Sequence, residues 1–149
     1  MSSVLRPATL DDVELLVEMN AEYALAEGHE PDPQLARQGI EPLIRDGTYG
    51  QIHLVLDEVG TPIGYAVLAW SWSIEIGGPE AVLDELYVRQ RNHGYGGRAL
   101  EAVMEICAQQ GMRRVFMETE RANEGARRLY RRHGFSDDDS IWLSRLTGR

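Results

Sequence analysis

Gly94, Gly96 and Gly97 fall in the run RQRNHGYGGRAL, residues 89–100, between AVLDELYV, which reads as a strand, and a stretch with helical periodicity. Glycines at a strand-to-helix junction confine the chain to a fold in which bare backbone curves around something at a helix N-terminus. Such a turn brings several N–H groups to a concave surface and the helix dipole adds partial positive charge, so the expected guest is an anionic phosphate. Arg91 and Arg98 flank the turn as sources of charge-assisted bonds, and His93 reads as a neutral, exposed loop residue. The alternative is a tight connection whose glycines merely supply positive φ, so a second feature has to decide.

The order of elements around the loop narrows the fold. Val4 and Leu5 open the chain, and TLDDVELLVEMNAEYALAEG offers Thr9 or Asp11 as a cap before apolar Val13, Leu16 and Val17 at helical spacing. Pro33 starts a second helix carrying Leu35, Ile40, Leu43 and Ile44, which Asp46 and Gly47 end. QIHLVLDEVGTPIGYAVLAWSW reads as a hairpin turning at EVGT, and SIEIGGPE turns the chain again into AVLDELYV. Beyond the loop, Ala99 to Gln109 reads as a helix, RRVFMET as an interior strand, and Asn123 as the start of a helix ended by Gly134. GF and SIWLSRL are two further short strand candidates. The expectation is one domain, residues 1–149, of the α/β (α+β) class, with a mixed sheet that is antiparallel early and parallel around the glycine loop.

Composition excludes more than it assigns. A net charge of −9 opposes general nucleic-acid binding, because a polyanion calls for a basic surface. The first ten residues lack the apolar core of a signal peptide and no apolar run approaches a membrane span, so neither a membrane nor a nucleic acid is an expected partner. The one cysteine, Cys107, lies in helical register with Leu100, Val103 and Met104 and reads as a core hydrophobe, and a reducing cytoplasm is the expected compartment. His29, His53, His93 and His133 have no metal-ligand spacing, so no metal is expected. A homodimer is the base-rate guess for a partner of its own kind.

Which phosphate ligand the loop takes follows from its detail. A mononucleotide loop needs Lys and then Ser or Thr, whereas Gly97 is followed by Arg98 and Ala99. GYGGRA formally matches a dinucleotide fingerprint, but residues 98–149 leave little room for repeated βαβ units, and a hairpin meander precedes the loop. Arg91-Asn92-His93-Gly94-Tyr95-Gly96 instead resembles the Q/R-x-x-G-x-G/A signature of the GNAT family of N-acetyltransferases. DELYV resembles that family's fourth strand, RALEAV its following helix, and NEGARRLYRRHGF its N-x-x-A-x-x-x-Y-x-x-x-G-F pattern. The resemblance runs in order over residues 4–145 and is strongest from Leu83 to Phe135.

The resemblance implies a GNAT-like, mostly antiparallel central sheet flanked by helices, with a V-shaped splay between the fourth and fifth strands. It implies acetyl-CoA as cosubstrate, its pyrophosphate over Arg91, Asn92, His93, Gly94, Tyr95, Gly96, Gly97 and Arg98. The pantetheine arm is then expected between Leu86, Tyr87 and Val88 on one strand and Phe116 to Thr119 on the other, touching Asn123. Asn92 and His93 depart from the glycine and basic residue of many relatives. Tyr130 matches the family's general acid, and a backbone N–H near Leu86 or Tyr87 its oxyanion donor.

For the base, Asp84 and Glu85 are adjacent on a strand and are expected to point to opposite faces; Glu85 is preferred, and Glu75 is a third candidate. Tyr23, His29, Trp70, Trp72 and Glu75 are candidates for an aromatic and acidic pocket that takes the amine. Two readings compete with the enzyme. One is a catalytically silent acyl-CoA-binding sensor or interaction module that keeps the cradle alone; the other is an NAD-binding domain.

Overall fold

The structure is a computed structural model that describes residues 3–90 and 93–148. It contains two compact units, Met1–Glu118 and Thr119–Arg149. In the first, β1 (Leu5–Pro7), β2 (Gly50–Leu56), β3 (Pro62–Ser73), β4 (Gly78–Val88) and β5 (Val115–Met117) form one sheet in sequence order. The first four strands are antiparallel and β4–β5 is parallel, as a mixed sheet with a crossover helix requires. The helices are α1 (Val13–Ala26), α2 (Pro33–Arg45) and α3 (Tyr95–Gln109), and the second unit holds α4 (Glu124–Arg132).

Local chemistry sets the helix starts. Thr9 N–H donates to Asp12 Oδ2 at 2.7 Å, and Arg6 holds the same carboxylate, which fixes the turn that leads into α1. Asp32 Oδ1 accepts from Leu35 N–H at 3.1 Å, with Pro33 at the first position of α2, where its missing N–H costs nothing. Strand alternation then separates two buried faces. Ile52, Leu54 and Tyr65 pack with Leu16 and Met19 of α1, while Ile40, Leu43 and Ile44 of α2 close over them. The opposite face carries Val55, Ala66 and Leu68, all buried, and α3, which packs on β4, brings Ala99, Leu100, Val103 and Cys107. Gly64 is required where β3 meets β4, because a Cβ there would fall into the Tyr87 carbonyl oxygen.

Three expectations change, and the first is GF: Gly134 lies in a turn and Phe135 in irregular chain, so no strand forms there. RRVFMET was expected as an interior strand, yet β5 is the edge of the sheet among the described residues, three residues long and half-buried throughout. SIWLSRL forms no strand: Ile141, Trp142, Leu143 and Leu146 are exposed and no ladder includes them. Strand-like alternation needs a partner edge to take the backbone hydrogen bonds, and this segment has none among the described residues.

Candidate active site

The site is organised by an irregularity in β4. Val67 pairs with Glu85 and the next residue, Leu68, with Leu83, so Asp84 is an extra residue without a partner. Such a bulge bends a strand and raises its twist, and here the β4–β5 ladder ends at Leu83–Met117 while β4 runs on to Val88. Arg89 N–H donates to Ile63 O at 2.8 Å, so by alternation Tyr87 and Glu85 turn their backbone groups to β3. Leu86 and Val88 therefore turn theirs to the far edge, where no described residue pairs with them. The splay is shorter than expected on its other side, because Phe116 and Met117 still pair with Val82 and Leu83.

The bulge also removes the premise that Asp84 and Glu85 must face opposite ways, since strict alternation fails where two residues oppose one. Asp84 is exposed. Glu85 is half-buried on the α1 face, where its Oε1 accepts from Tyr65 Oη at 2.7 Å and from Asn20 Nδ2 at 3.1 Å. Burial pushes the Glu85 carboxyl above the ordinary carboxylate range and the Asp84 charge adds to this, against the two hydrogen bonds that favour its ionised form.

An aromatic cluster surrounds this carboxylate. Tyr23 meets Tyr65 and Tyr87 edge-on at 6.5 Å and 6.0 Å between ring centroids, and Tyr65 lies 6.1 Å from Tyr87. Tyr87 Oη donates to Glu22 Oε1 at 2.9 Å, and Arg89 grips both oxygens of the same carboxylate, at 2.9 Å and 2.7 Å. The Arg89 bonds hold Glu22 below the usual carboxylate range. Of the residues expected to form an acceptor pocket, Tyr23 alone lies in this cluster. Trp72 pairs with Pro79 and Glu75 occupies the β3–β4 turn, roughly 25 Å of strand from Tyr87 at about 3.3 Å per residue. Glu75 makes an ion pair with Arg114 there, at 3.5 Å. His29 is exposed in the loop after α1, its N–H on Ala24 O, and Trp70 is half-buried on β3 opposite Ala81.

The glycine turn is formed as expected where it is described. Gly94 is the residue before α3 and has φ 79°, a left-handed conformation that side-chain-bearing residues rarely adopt. A Cβ on it would meet nothing within 4 Å, so the space over the turn is open. Among the described residues no side chain caps α3, and none accepts from its first N–H groups, those of Tyr95, Gly96 and Gly97, which lie at the positive end of the dipole. Tyr95 itself is buried, its phenol donating to Glu58 Oε2 at 2.5 Å, so its ring anchors the helix start and only its backbone is available to a ligand. Arg98 lies over the Tyr95 ring at 4.7 Å and donates to the His93 and Gly94 carbonyl oxygens at 3.3 Å and 3.4 Å, and His93 is exposed. Arg91 and Asn92 lie outside the described residues.

In the second unit, Asn123 Oδ1 accepts from Ala126 N–H at 3.2 Å and so caps α4, leaving its amide nitrogen as a donor. Tyr130 is half-buried, with its ring 6.2 Å from Phe135, whose N–H donates to the Tyr130 carbonyl at 3.1 Å. Among the described residues, no three His, Cys, Asp or Glu side chains are grouped as a metal site.

The motifs in the sequence do not single out Asn20, Tyr65 or Glu22. Asn20 had a signal: it continues the Val13, Leu16, Val17 stripe at i+7, a polar side chain at a position that should be buried. Glu22 and Tyr65 had none, because their role depends on the pairing of β3 with β4 and on where α1 crosses them.

The parallel ladder thus stops short of the end of the fourth strand, which carries the half-buried Glu85 carboxylate and leads to the glycine turn. Residues 14–135 match the model of the Acetyltransferase (GNAT) family, and the chain belongs to that family. It is an N-acetyltransferase. It is 30% identical over 105 residues to the uncharacterized N-acetyltransferase YhfO of Bacillus subtilis (strain 168), covering 68% of this chain and 70% of YhfO. An integron cassette protein from the mobile metagenome of Cole Harbour Salt Marsh superimposes with a TM-score of 0.85 at 27% identity, over 98% of this chain and 91% of that one. A predicted acetyltransferase with acetyl-CoA, from Clostridium acetobutylicum, has the same fold at a TM-score of 0.77 and 17% identity, over 95% and 94% of the two chains.

Proposed function

We propose that the protein moves an acetyl group from acetyl-CoA to the primary amine of a small molecule or peptide by direct attack, as one catalytic domain spanning residues 1–149. The observation that carries this reading is the end of the β4–β5 ladder at Leu83–Met117, with Glu85 and the outward N–H groups of Leu86 and Val88 just beyond it. When bound, acetyl-CoA supplies an activated carbonyl on a thiol leaving group. On this reading the first N–H groups of α3 receive its diphosphate with His93 and Arg98 nearby, and the Leu86, Tyr87 and Val88 backbone lies along its arm; Arg91, Asn92 and Asn123 are assigned to the cofactor by their match to the family pattern alone.

Each residue then has one task. Glu85 removes the proton that the amine must lose; its raised affinity for protons suits a base working near neutrality, and Asp84 acts on it through charge. The Leu86 N–H donates to the carbonyl oxygen as negative charge gathers there. Tyr130, by its match to the family pattern, gives a proton to the sulfur that departs with the electron pair of the broken C–S bond. Tyr23, with Tyr65 and Tyr87, lines the approach of a cationic amine, since electron-rich ring faces favour a cation. Trp72 and Glu75 stand apart from this position at the turn end of the β3–β4 hairpin, and His29 lies in the exposed loop after α1. The reading also places the protein in the cytoplasm, where acetyl-CoA is available.

Thiol release from acetyl-CoA measured against polyamines, amino acids, aminoglycosides and peptide amino termini tests this function. Release that depends on an amine and is lost in Glu85→Gln supports it. A rise in melting temperature with acetyl-CoA but no turnover with any amine identifies a silent sensor, and a rise with NAD alone overturns the cofactor.

A further inference from the structure

The two oxygens of Glu85 are not equivalent. Oε1 accepts from Tyr65 Oη at 2.7 Å and Asn20 Nδ2 at 3.1 Å, whereas no described residue donates to Oε2. Oε2 is not sealed in either: among the described residues, the one fully buried side-chain nitrogen or oxygen without a partner is His53 Nδ1. Oε2 is therefore open to solvent or to a substrate.

We propose that Tyr65 and Asn20 are positioning residues that fasten Oε1 from two different elements, and so make Oε2 the one atom that receives the proton of the acceptor amine. The inference rests on Glu85 being the base. The step breaks an N–H bond of the ammonium and forms an O–H bond on Oε2, and the electron pair stays on nitrogen for the attack.

The geometry supports a fixed donor arrangement. A free carboxylate rotates about its last side-chain bond and offers either oxygen; donors on α1 and β3 that meet at one oxygen stop that rotation. Asn20 Nδ2 also donates to Tyr65 Oη at 3.3 Å, so the phenol accepts from the amide and its own proton is directed at Oε1. Burial, and then the Glu85 charge, raise the Tyr65 phenol far above its ordinary value, so it remains a donor throughout the working range.

The groups around Glu85 set the sign of the test. Asp84 precedes it on β4, followed by Tyr87 and Arg89, with Arg89 committed to Glu22 and 3.5 Å from Glu18. α1 contributes Asn20, Glu22 and Tyr23, β3 contributes Tyr65, and α2 brings apolar Ile40, Leu43 and Ile44 to the same cluster. Burial and Asp84 raise the Glu85 carboxyl, whereas Tyr65 and Asn20 lower it. Removing either donor therefore raises it further.

The test is a titration of the Glu85 carboxyl in the whole protein by carbon NMR with glutamate labelled at its carboxyl carbon, the signal being assigned by its loss in Glu85→Gln. Tyr65→Phe keeps the ring and Asn20→Ala keeps the helix, so both should fold. Each is expected to move the midpoint upward by about half to one pH unit. An unchanged or lowered midpoint in both variants overturns the proposal.

A second arm uses the amine that gives the fastest thiol release. The acidic limb of its pH–rate profile should move upward with the same shift, which costs about three- to tenfold on that limb. The amine's own titration is common to all variants and cancels. A limb that survives in Glu85→Gln defeats the reading of Glu85 as base. A limb that vanishes in Glu85→Gln but stays in place in Tyr65→Phe and Asn20→Ala defeats the positioning role alone.

Discussion

Tyr87 Oη donates to Glu22 Oε1 at 2.9 Å, which ties the end of β4 to the middle of α1 by a side chain, while the backbone of the same tyrosine stays in the sheet. The two roles are separable. Tyr87→Phe keeps the ring between Tyr23 and Tyr65 and loses the bond, so urea denaturation should show a loss of about 1 kcal/mol. Under the proposed function, the rise in melting temperature with acetyl-CoA should be unchanged, because the β4 backbone proposed to line the arm is intact. A lost rise would mean that the phenol itself meets the ligand.

Tyr130→Phe removes only a phenol proton. Thiol release with the best acceptor should fall about 10²-fold, with the thermal response to acetyl-CoA kept. Steady-state kinetics and a melting curve on the same sample read both quantities, and unchanged turnover would remove Tyr130 from the chemistry.

Gly94 separates strain from occlusion. Because a Cβ there meets nothing, the cost of a side chain is conformational, and Gly94→Val should lose about 1–2 kcal/mol where Gly94→Asn, which tolerates positive φ, loses much less. Gly94→Trp should abolish the acetyl-CoA thermal response by filling the space over the turn. Calorimetric titration with acetyl-CoA checks it, and intact binding would put the diphosphate elsewhere.

His53 predicts an acid sensitivity unconnected with catalysis. Its Nδ1 is buried on β2 without a hydrogen-bond partner among the described residues, and burial lowers its proton affinity below that of a free imidazole. The unfolded chain therefore takes up a proton that the folded chain resists, so stability is present above a pH of about 6.5 and declines below it. The slope contributed by this one group approaches about 1.4 kcal/mol per pH unit at most. Urea denaturation from pH 7.5 to 5.5 should show a flatter decline in His53→Leu than in the parent protein.

The sequence carried the path of the chain well where periodicity and punctuation agree. Gly94 before a helical stripe and Pro33 at a helix start each imply one local conformation, and each forms it; of the turn read at Gly77, Gly78 and Pro79, only Gly77 precedes the strand, since Gly78 and Pro79 already pair with Ser73 and Trp72 in β4. The acceptor side was less legible for a physical reason. Trp72, Glu75 and Tyr23 look alike as aromatic and acidic residues near the cofactor motifs, but their separation is set by register: Trp72 and Glu75 lie at the turn end of the β3–β4 hairpin, whereas Tyr23, on α1, packs against Tyr65 and Tyr87 toward its other end. Asp84 looked like half of an alternating pair because a bulge leaves no mark in one strand; it exists only relative to β3. SIWLSRL shows the converse, a local pattern that no neighbouring edge completes among the described residues.

The extra residue at Asp84 ties catalysis to chain length as well as to side-chain identity. Deleting it would let β4 resume a regular ladder with β3, and the straighter strand could continue zipping against β5 past Leu83, consuming the main-chain donors of Leu86 and Val88. The result would be a sturdier protein with its seam sewn shut.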